Sequence, residues 1–468
     1  MKKLAVILID GLDPEVLQKH IESLPNLKEL VEKGTFKKLE SVIPPDSIPA
    51  WATIYTGVNP GEHGIFESID YLKIKNQDFS MDNSVFKGKT FWDAISNNGD
   101  TVGIVNPFIA YPSWDVNGYM LSGPVFESGN VSCNVKEVIE KYNIPPLGGI
   151  VDYPCEKSYE EFLQKSLSLM KEQNELALNL FKNENTSFFF YGNLIVDRIK
   201  HFYWKFTENN KKSRSEFLSR SVLNVYREVD NLLGKIKNVF QGETNILLIS
   251  DHGHQRRVVK SFCLNEWLRR KGYIQTRFGV KTIVEVTKNI ILSMLSNLGH
   301  IDLALKISKF IPNVRKLKNS EYINNSKSDF YVPKFAGMNP YGGICINKEN
   351  VNENVIVELM DKLGSITDGG VKIIEWIERR ENLYKGRFVN QFPDIVFKLN
   401  DNYGINRSFY TGKVFGKNHF FSRISGGHRR DGVFLCSEKV NGLNDRAKIK
   451  IEEIHKIILD LFYDREVG

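Results

Sequence analysis

Three short apolar runs, each leading to an aspartate, constrain this chain more than any other feature. Residues 4–9 (LAVILI) run into Asp10-Gly11, residues 187–192 (SFFFYG) run up to Asn193 and on to Asp197, and residues 245–250 (NILLIS) run directly into Asp251-His252. None alternates apolar with polar residues, so each is predicted to be a strand buried on both faces of a parallel sheet. Helical patterns lie between them. Residues 157–183 place Leu163, Leu167, Met170, Ala177, Leu178 and Phe181 on one face, and a second amphipathic helix is predicted over about 212–237. Helix then strand, repeated, predicts an α/β fold, a doubly wound and mostly parallel sheet flanked by helices. Open sheets of this kind bind ligands at the carboxyl ends of their strands. Asp10, Asp197, Asp251 and His252 fall there.

Asp197 and His201 are four residues apart, so on a helical turn they project from one face and can share a cation. Ser47 sits two residues before Pro49, a residue type favoured in a first helical turn, and Ala50-Trp51-Ala52-Thr53-Ile54-Tyr55 continues that helix. A hydroxyl there is close to backbone N–H groups and the positive end of the helix dipole, both favourable to a phosphate oxygen. Gly426-Gly427-His428 adds a third imidazole. Taken singly, Asp10 is equally a loop cap and Ser47 a helix cap. Taken together, three carboxylates, three imidazoles and one hydroxyl make the ligand set and nucleophile of a two-metal phosphoryl-transfer site. Two divalent cations roughly 4 Å apart stabilise a serine alkoxide, hold the leaving oxygen and neutralise the phosphoryl group. Aspartate mixed with neutral imidazole favours zinc (Zn2+), with manganese (Mn2+) as the alternative.

With these residues in this order, the chain resembles the alkaline phosphatase superfamily and, within it, the type I phosphodiesterase/nucleotide pyrophosphatase family, in its branch of phosphohydrolases and phosphomutases. The matching strings are Asp10-Gly11, the stretch from Pro44 to Ile65, Asn106-Pro107 with Tyr111-Pro112, the run from Asp197 to Trp204, SDHG at 250–253, LNEWL at 264–268, PDIV at 393–396 and GGHRRDGVF at 426–434. The resemblance implies that Asp10, Asp251 and His252 with the Ser47 oxygen hold one metal, that Asp197, His201 and His428 hold the other, and that Ser47 is the nucleophile. Ala50 stands where nucleotide pyrophosphatases carry a nearby asparagine that touches a phosphate oxygen, and Asn106 is the substitute candidate for substrate binding. Many diesterases of the group use threonine as nucleophile; serine keeps the hydroxyl. Sulfatases of the superfamily need an arginine four residues after the modified side chain, and Trp51 occupies that place.

The implied activity is metal-dependent hydrolysis of a phosphodiester or pyrophosphate through a phosphoseryl intermediate. The substrate would be a phosphorylated small molecule or one linked to a nucleotide, lipid or sugar carrier. A phosphomonoesterase is the second reading. Transfer to another hydroxyl, as in cofactor-independent phosphoglycerate mutases, is the third, with phosphonate hydrolysis and a noncatalytic binding protein as further alternatives. His63 is expected to order the loop after the nucleophile helix and His254 to orient a ligand. His20, His300 and His455 lie in helical patterns and are expected on the surface or in packing, with His419 unassigned. Arg198, Lys200, Arg429 and Arg430 lie beside predicted ligands, where a cation can clamp phosphate.

With 468 residues and 41% hydrophobic content the chain can bury a large core in more than one lobe. No run approaches the ~20 apolar residues that span a bilayer. Met1-Lys2-Lys3 followed by LAVILI imitates a secretion signal, but the run breaks at Asp10 and no small-residue cleavage site comes after it, so a cytoplasmic protein is expected. The five cysteines are scattered and odd in number, which fits free thiols in a reducing compartment. The net charge of +7 favours anionic substrates, but no basic stripe with interleaved aromatics points to nucleic acid. No motif sets an oligomeric state. Along the chain, 1–106 reads as the first part of a catalytic core, 107–160 as an inserted cap, 161–274 as the second part of the core, 275–333 as a helical insertion and 334–468 as the third part, which carries the final metal histidine.

Overall fold

The computed structural model describes residues 3–66, 85–124, 130–148, 158–208, 215–240, 244–277, 323–333, 339–347, 351–417 and 424–467, with single positions at 154 and 335 and scattered ones between 279 and 295. Most of the expected insertion at 275–333, together with His300, His419 and Cys155, lies outside the described residues. The chain forms two compact units, one of residues 1–256 with 424–468 and the other of 257–423. Residues 334–423, grouped with the final histidine in the division drawn from sequence, pack in the second unit.

The first unit is built on a nine-stranded sheet. Its strands are β1 (Lys3–Ile9), β2 (Thr35–Glu40), β3 (Val102–Val105), β4 (Gly118–Ser122), β5 (Ser132–Cys133), β6 (Phe188–Asn193) and β7 (Thr244–Ile249). After β8 (Gly253–Arg256), which lies outside this sheet, and β9 (Gly426–Arg429) come β10 (Asp431–Cys436) and β11 (Lys448–Lys450). The spatial order is β11-β2-β10-β7-β1-β6-β3-β4-β5. β7, β1, β6, β3 and β4 run parallel as neighbours, with Leu4 opposite Phe188 and Asn245. β10 enters antiparallel between β7 and β2.

The three apolar runs occupy the centre of this sheet, and their lack of alternation is explained by what covers them. Leu4, Val6 and Leu8 face one layer with Trp51, Ile54 and Tyr55 of the helix Ser47–Thr56 and with the carboxyl-terminal helix Ile454–Phe462, while Ala5, Ile7 and Ile9 face the other layer with the helices Tyr159–Asn183, Ile195–Glu208 and Ser221–Phe240. Among the helices of this unit are α1 (Pro14–His20), α2 (Pro25–Lys33), α3 (Ser47–Thr56), α4 (Tyr159–Asn183), α5 (Ile195–Glu208), α6 (Ser221–Phe240) and α7 (Ile454–Phe462). Every side chain of β1 beyond Lys3 is therefore removed from water, which for a Leu or Ile contributes about 1.5–3 kcal/mol. α6 begins at Ser221, later than the 212 expected from periodicity, because Ser215 caps a separate short turn at Glu216–Ser219.

The second unit holds an antiparallel four-stranded sheet of Phe330–Tyr331, Tyr341–Ile346, Ile395–Leu399 and Ile374–Arg379. The sequence strings GGICIN and PDIV fall in two of these strands. A three-stranded sheet, a two-stranded ribbon of Thr367–Asp368 and Val371–Lys372 and helices that include Leu264–Arg270 and Glu353–Gly364 accompany it, around a core that includes Phe262, Trp267, Leu359, Phe397 and Tyr403.

Candidate metal centre

β7, β1 and β6 are adjacent and parallel, so the residues directly after each of them emerge at one edge of the sheet. Asp10 comes after β1, Asp251-His252 come after β7, and α5, which carries Asp197 and His201, starts two residues after β6. The Asp10 N–H donates to the Asn193 carbonyl at 2.9 Å. Gly11 then adopts φ +68 and donates its N–H to Asp251 Oδ1 at 3.0 Å. A Cβ at this position would lie 2.8 Å from Asp197 Oδ1, so only glycine lets α5 close on the turn.

Ser47 opens α3 behind the N-cap Asp46, whose carboxylate accepts the Ile48 N–H. The expected free N–H groups of this first turn are thus partly used by Asp46, and Pro49 has none. Ser47 Oγ lies 3.3 Å from Asp10 Oδ1 and 3.1 Å from His252 Nε2. One turn on, Trp51 donates its indole N–H to Asp251 Oδ2 at 3.1 Å, which ties the serine helix to the β7 ligand.

His428 is delivered by β9, which pairs antiparallel with β8 and sets His428 opposite His254. Its Nδ1 lies 2.8 Å from the Pro45 carbonyl, that of His201 lies 3.1 Å from the Gly426 carbonyl, and that of His252 lies 3.0 Å from the Gly253 carbonyl. A carbonyl only accepts, so each Nδ1 carries the proton and each Nε2 is left as a lone pair. All three lone pairs face inward.

Two groups result. Asp10, Asp251 and His252 form one and Asp197, His201 and His428 the other, with the ligand atoms of each within 4.8 Å of one another. In the second, His201 Nε2 lies 3.1 Å from Asp197 Oδ2 and 2.9 Å from His428 Nε2. Two imidazole lone pairs facing each other at that separation repel unless a cation stands between them, so the donor set fits a metal ion. The first group is closed from water, whereas the Asp197, His201 and His428 side chains are 14, 22 and 17% exposed. Ser47, partly exposed, borders the first group through Asp10 and His252, and the His252 ring stacks on His428 of the second at 3.9 Å.

Electrostatics point the same way. Burial, reinforced by the Asp251 and Asp197 charges, raises Asp10 well above the usual carboxylate range, and burial pushes Asp251 up to about 8. Burial alone would also raise Asp197, but positive charge on the neighbouring imidazoles, His201 first, pulls it well below the ordinary value, a role a cation takes over where those rings are neutral. Burial lowers His252 and His428, keeping both neutral and able to coordinate. Buried carboxylates that would otherwise take up protons fit cation binding, since a metal ion supplies the missing positive charge.

The remaining histidines and cations are equally informative. His254 is buried with Nδ1 3.0 Å from Asp197 Oδ1, its N–H bonded to Asp13 Oδ2 and its ring stacked on Trp204. His63 Nδ1 accepts the Ile65 N–H and Nε2 meets Thr53 Oγ1 at 3.0 Å, which fastens the loop to α3. His455 holds the Tyr55 carbonyl. Asn106, at φ 54, donates to the Gly192 carbonyl and accepts the Gly148 N–H, so both ends of its amide are engaged by backbone. Arg429 pairs with Glu15, Arg430 with Glu40, and Lys200 is fully buried against the Gly11 carbonyl. Sequence reasoning did not find Trp51, Asp13 or Tyr226 as supports. The Asp13-Pro14 pair signals a helix cap, which Asp13 is, but its second oxygen reaching residue 254 leaves no local trace.

The family that the sequence matches makes the chain a phosphoric ester hydrolase of the alkaline phosphatase superfamily. Residues 4–419 match the model of the family described as type I phosphodiesterase/nucleotide pyrophosphatase, and the chain belongs to that family. Among solved structures, phosphonoacetate hydrolase from Sinorhizobium meliloti 1021 is similar in complex with phosphonoacetate (14% identity, 99% of this chain and 95% of that one, TM-score 0.57). Its complex with phosphonoformate is similar at 14% identity and TM-score 0.56, covering 99% of this chain and 94% of that one. Murine ectonucleotide pyrophosphatase/phosphodiesterase 5 in complex with AMP is similar at 13% identity and TM-score 0.46, covering 99% of this chain and 95% of that one. No curated protein matches the chain in sequence. Among the described residues, no helix is long and apolar enough to cross a membrane.

Proposed function

We propose that this chain hydrolyses a phosphodiester or pyrophosphate by attack of Ser47, using two divalent cations, zinc in the first instance. The observation that carries the reading is the position of Ser47 Oγ, 3.3 Å from Asp10 and 3.1 Å from His252 of the closed group, whose His252 ring stacks on His428 of the open group at 3.9 Å. Bound there, a cation pair would neutralise the phosphoryl oxygens and favour ionisation of the serine.

The chain's own residues supply the remainder. α3 aims its N-terminal dipole at the reacting oxygens, and Trp51 and Gly11 fix the Asp251 carboxylate. In the first step the Ser47 Oγ–P bond forms and the bond from phosphorus to the leaving oxygen breaks, with the leaving group taking up a proton. In the second, water attacks the phosphoseryl phosphorus from the opposite face, the Oγ–P bond breaks and the serine hydroxyl is restored. Two in-line displacements give net retention at phosphorus. A diester is supported over a monoester by the partners of three cations close to the ligands in sequence: Lys200, Arg429 and Arg430 are bonded to protein groups. The family's name supports the same class. We assign the protein to the cytoplasm, a reading supported by the free thiols of Cys133, Cys263, Cys345 and Cys436.

The test is metal content after gentle purification, followed by hydrolysis of bis-p-nitrophenyl phosphate, p-nitrophenyl phosphate and a phosphonate side by side. About two cations per chain and a faster diester reaction are expected. A dominant monoester or phosphonate reaction would overturn the substrate class.

A further inference from the structure

Four of the eight large apolar side chains left exposed among the described residues fall within twelve consecutive positions: Ile283 at 56%, Ile290 at 50%, Ile291 at 39% and Met294 at 61%. The other four, Ile139, Tyr331, Val357 and Val371, are scattered along the chain, as single surface apolar residues usually are. The first four differ because they are periodic. Positions 283, 286, 287, 290, 291, 294 and 295 are helical, and the Ile283 N–H donates to the Gly279 carbonyl at 3.3 Å. At 3.6 residues per turn the four exposed side chains share one arc of about 100°, which half-buried Val286 and Leu295 flank.

Thr287 falls inside this arc. It is exposed, yet its hydroxyl donates back to the Ile283 carbonyl at 2.9 Å, so its proton needs no water. The stripe can therefore leave water without an unmade hydrogen bond from that donor. Continuous exposed apolar surface of this kind marks a contact with something outside the chain, and charge says what that is. Residues 275–333 hold nine lysines and arginines against four carboxylates, a net +5, so an eighth of the chain carries most of its net +7. A second copy of this chain would set like charges face to face. A bilayer with anionic headgroups answers both features: an apolar stripe on one side of a helix lies in the plane of the interface, and lysines and arginines near it are drawn to the headgroups.

We propose that the helical stretch 279–295 docks this protein on a lipid bilayer bearing anionic headgroups, with Ile283, Ile290, Ile291 and Met294 entering the boundary between headgroups and acyl chains. Docking of this kind is independent of the two-metal reading. It gives the protein a place to act, on a membrane rather than across one. The cytoplasmic leaflet of cell membranes carries the charge it needs.

The test is co-sedimentation of the intact chain with vesicles of phosphatidylcholine alone and of phosphatidylcholine mixed in equal parts with phosphatidylglycerol. Wild type should partition onto the mixed vesicles at least about tenfold more strongly than onto phosphatidylcholine, and raised salt should release it. Ile290→Asn combined with Met294→Asn should lower partitioning onto the mixed vesicles at least about tenfold, since the exposed parts of both side chains no longer gain by leaving water. The melting temperature of that double variant in buffer should stay within roughly 2 °C of wild type, as at other surface sites, and Ile290→Leu should bind as wild type does. In wild type, amide hydrogen exchange over residues 279–295 should slow when mixed vesicles are added. Wild type left in the supernatant, a double variant that binds as wild type does, or unchanged exchange over 279–295 overturns the proposal. So does a wild-type dimer in sedimentation velocity that the double variant dissociates, because the stripe then belongs to a second copy. The exchange measurement needs no variant and decides the matter if the double variant fails to fold.

Discussion

Replacing Gly11 by alanine adds one methyl group at the point where the turn after β1 meets the start of α5. The new Cβ would lie 2.8 Å from Asp197 Oδ1, 2.9 Å from its Cβ and 3.1 Å from its Cα. The last two atoms belong to the rigid start of α5, so the side chain cannot swing clear and the helix or the turn must shift by several tenths of an ångström. The left-handed φ of +68 adds about 1–2 kcal/mol for a residue with a Cβ, and overpacking adds about 1–3 kcal/mol. Together they predict a loss of about 2–5 kcal/mol in urea unfolding tracked by tryptophan fluorescence. The same shift moves Asp197 relative to Asp10 and Asp251, and since a misplacement of about 1 Å costs roughly 10²-fold in turnover, a shift of several tenths should cost up to about tenfold. A Gly11→Ala protein with wild-type stability, metal content and turnover would refute the close approach of α5 to the β1 turn.

Ser47→Ala should lower turnover by at least about 10³-fold while the melting temperature of the metal-free protein stays within roughly 2 °C, because the hydroxyl is partly exposed and fills no cavity; near-normal rates would remove Ser47 as nucleophile. Trp51→Phe withdraws the indole N–H from Asp251 and should cost about 1.5–3 kcal/mol in the zinc-loaded protein, where Asp251 is ionised, the value of a hydrogen bond to a charged group, with weaker retention of the cation in the closed group by chelator competition. His428→Ala should weaken retention of the other cation, and unchanged metal content would strike His428 from the ligand set. His63 gives the pH prediction. Burial lowers its pKa to about 3, so below the unfolded value near 6.5 the unfolded chain takes up a proton that the native state refuses. Stability is complete above pH 6.5 and falls by about 1.4 kcal/mol per unit as pH drops toward 3; His63→Gln, which keeps a donor and an acceptor, should remove that contribution from the slope measured between pH 6 and 4.5.

How legible each feature is in the sequence depends on its range along the chain. Strands buried on both faces declare themselves locally, since LAVILI and NILLIS are continuous apolar runs, and a parallel sheet sends their ends to one edge. That is why Asp10, Asp251 and His252 were legible. Asp197 and His201 were legible through helical spacing. His428 was not legible from its own surroundings; only its place in the ordered set pointed to it, and its delivery depends on a ribbon that pairs β9 with β8. The supports are different in kind. Trp51 on Asp251, Asp13 on the His254 N–H and Lys200 on the Gly11 carbonyl join residues 189 to 241 positions apart, and none leaves a periodic signal. Charge near a motif misled for the same reason. Arg429 and Arg430 stand beside His428 in sequence, yet Arg429 alternates to the opposite face of β9, Arg430 lies past the end of that strand, and their partners Glu15 and Glu40 lie on other elements.

The most direct measurement is anomalous diffraction from crystals of the purified protein, collected at the zinc absorption edge. Two peaks should appear, one within coordination distance of Asp10, Asp251 and His252 and the other within reach of Asp197, His201 and His428, with Ser47 Oγ beside them. A single peak, or a pair seated away from these six side chains, would contradict a two-metal centre built at the ends of β1, β6 and β7.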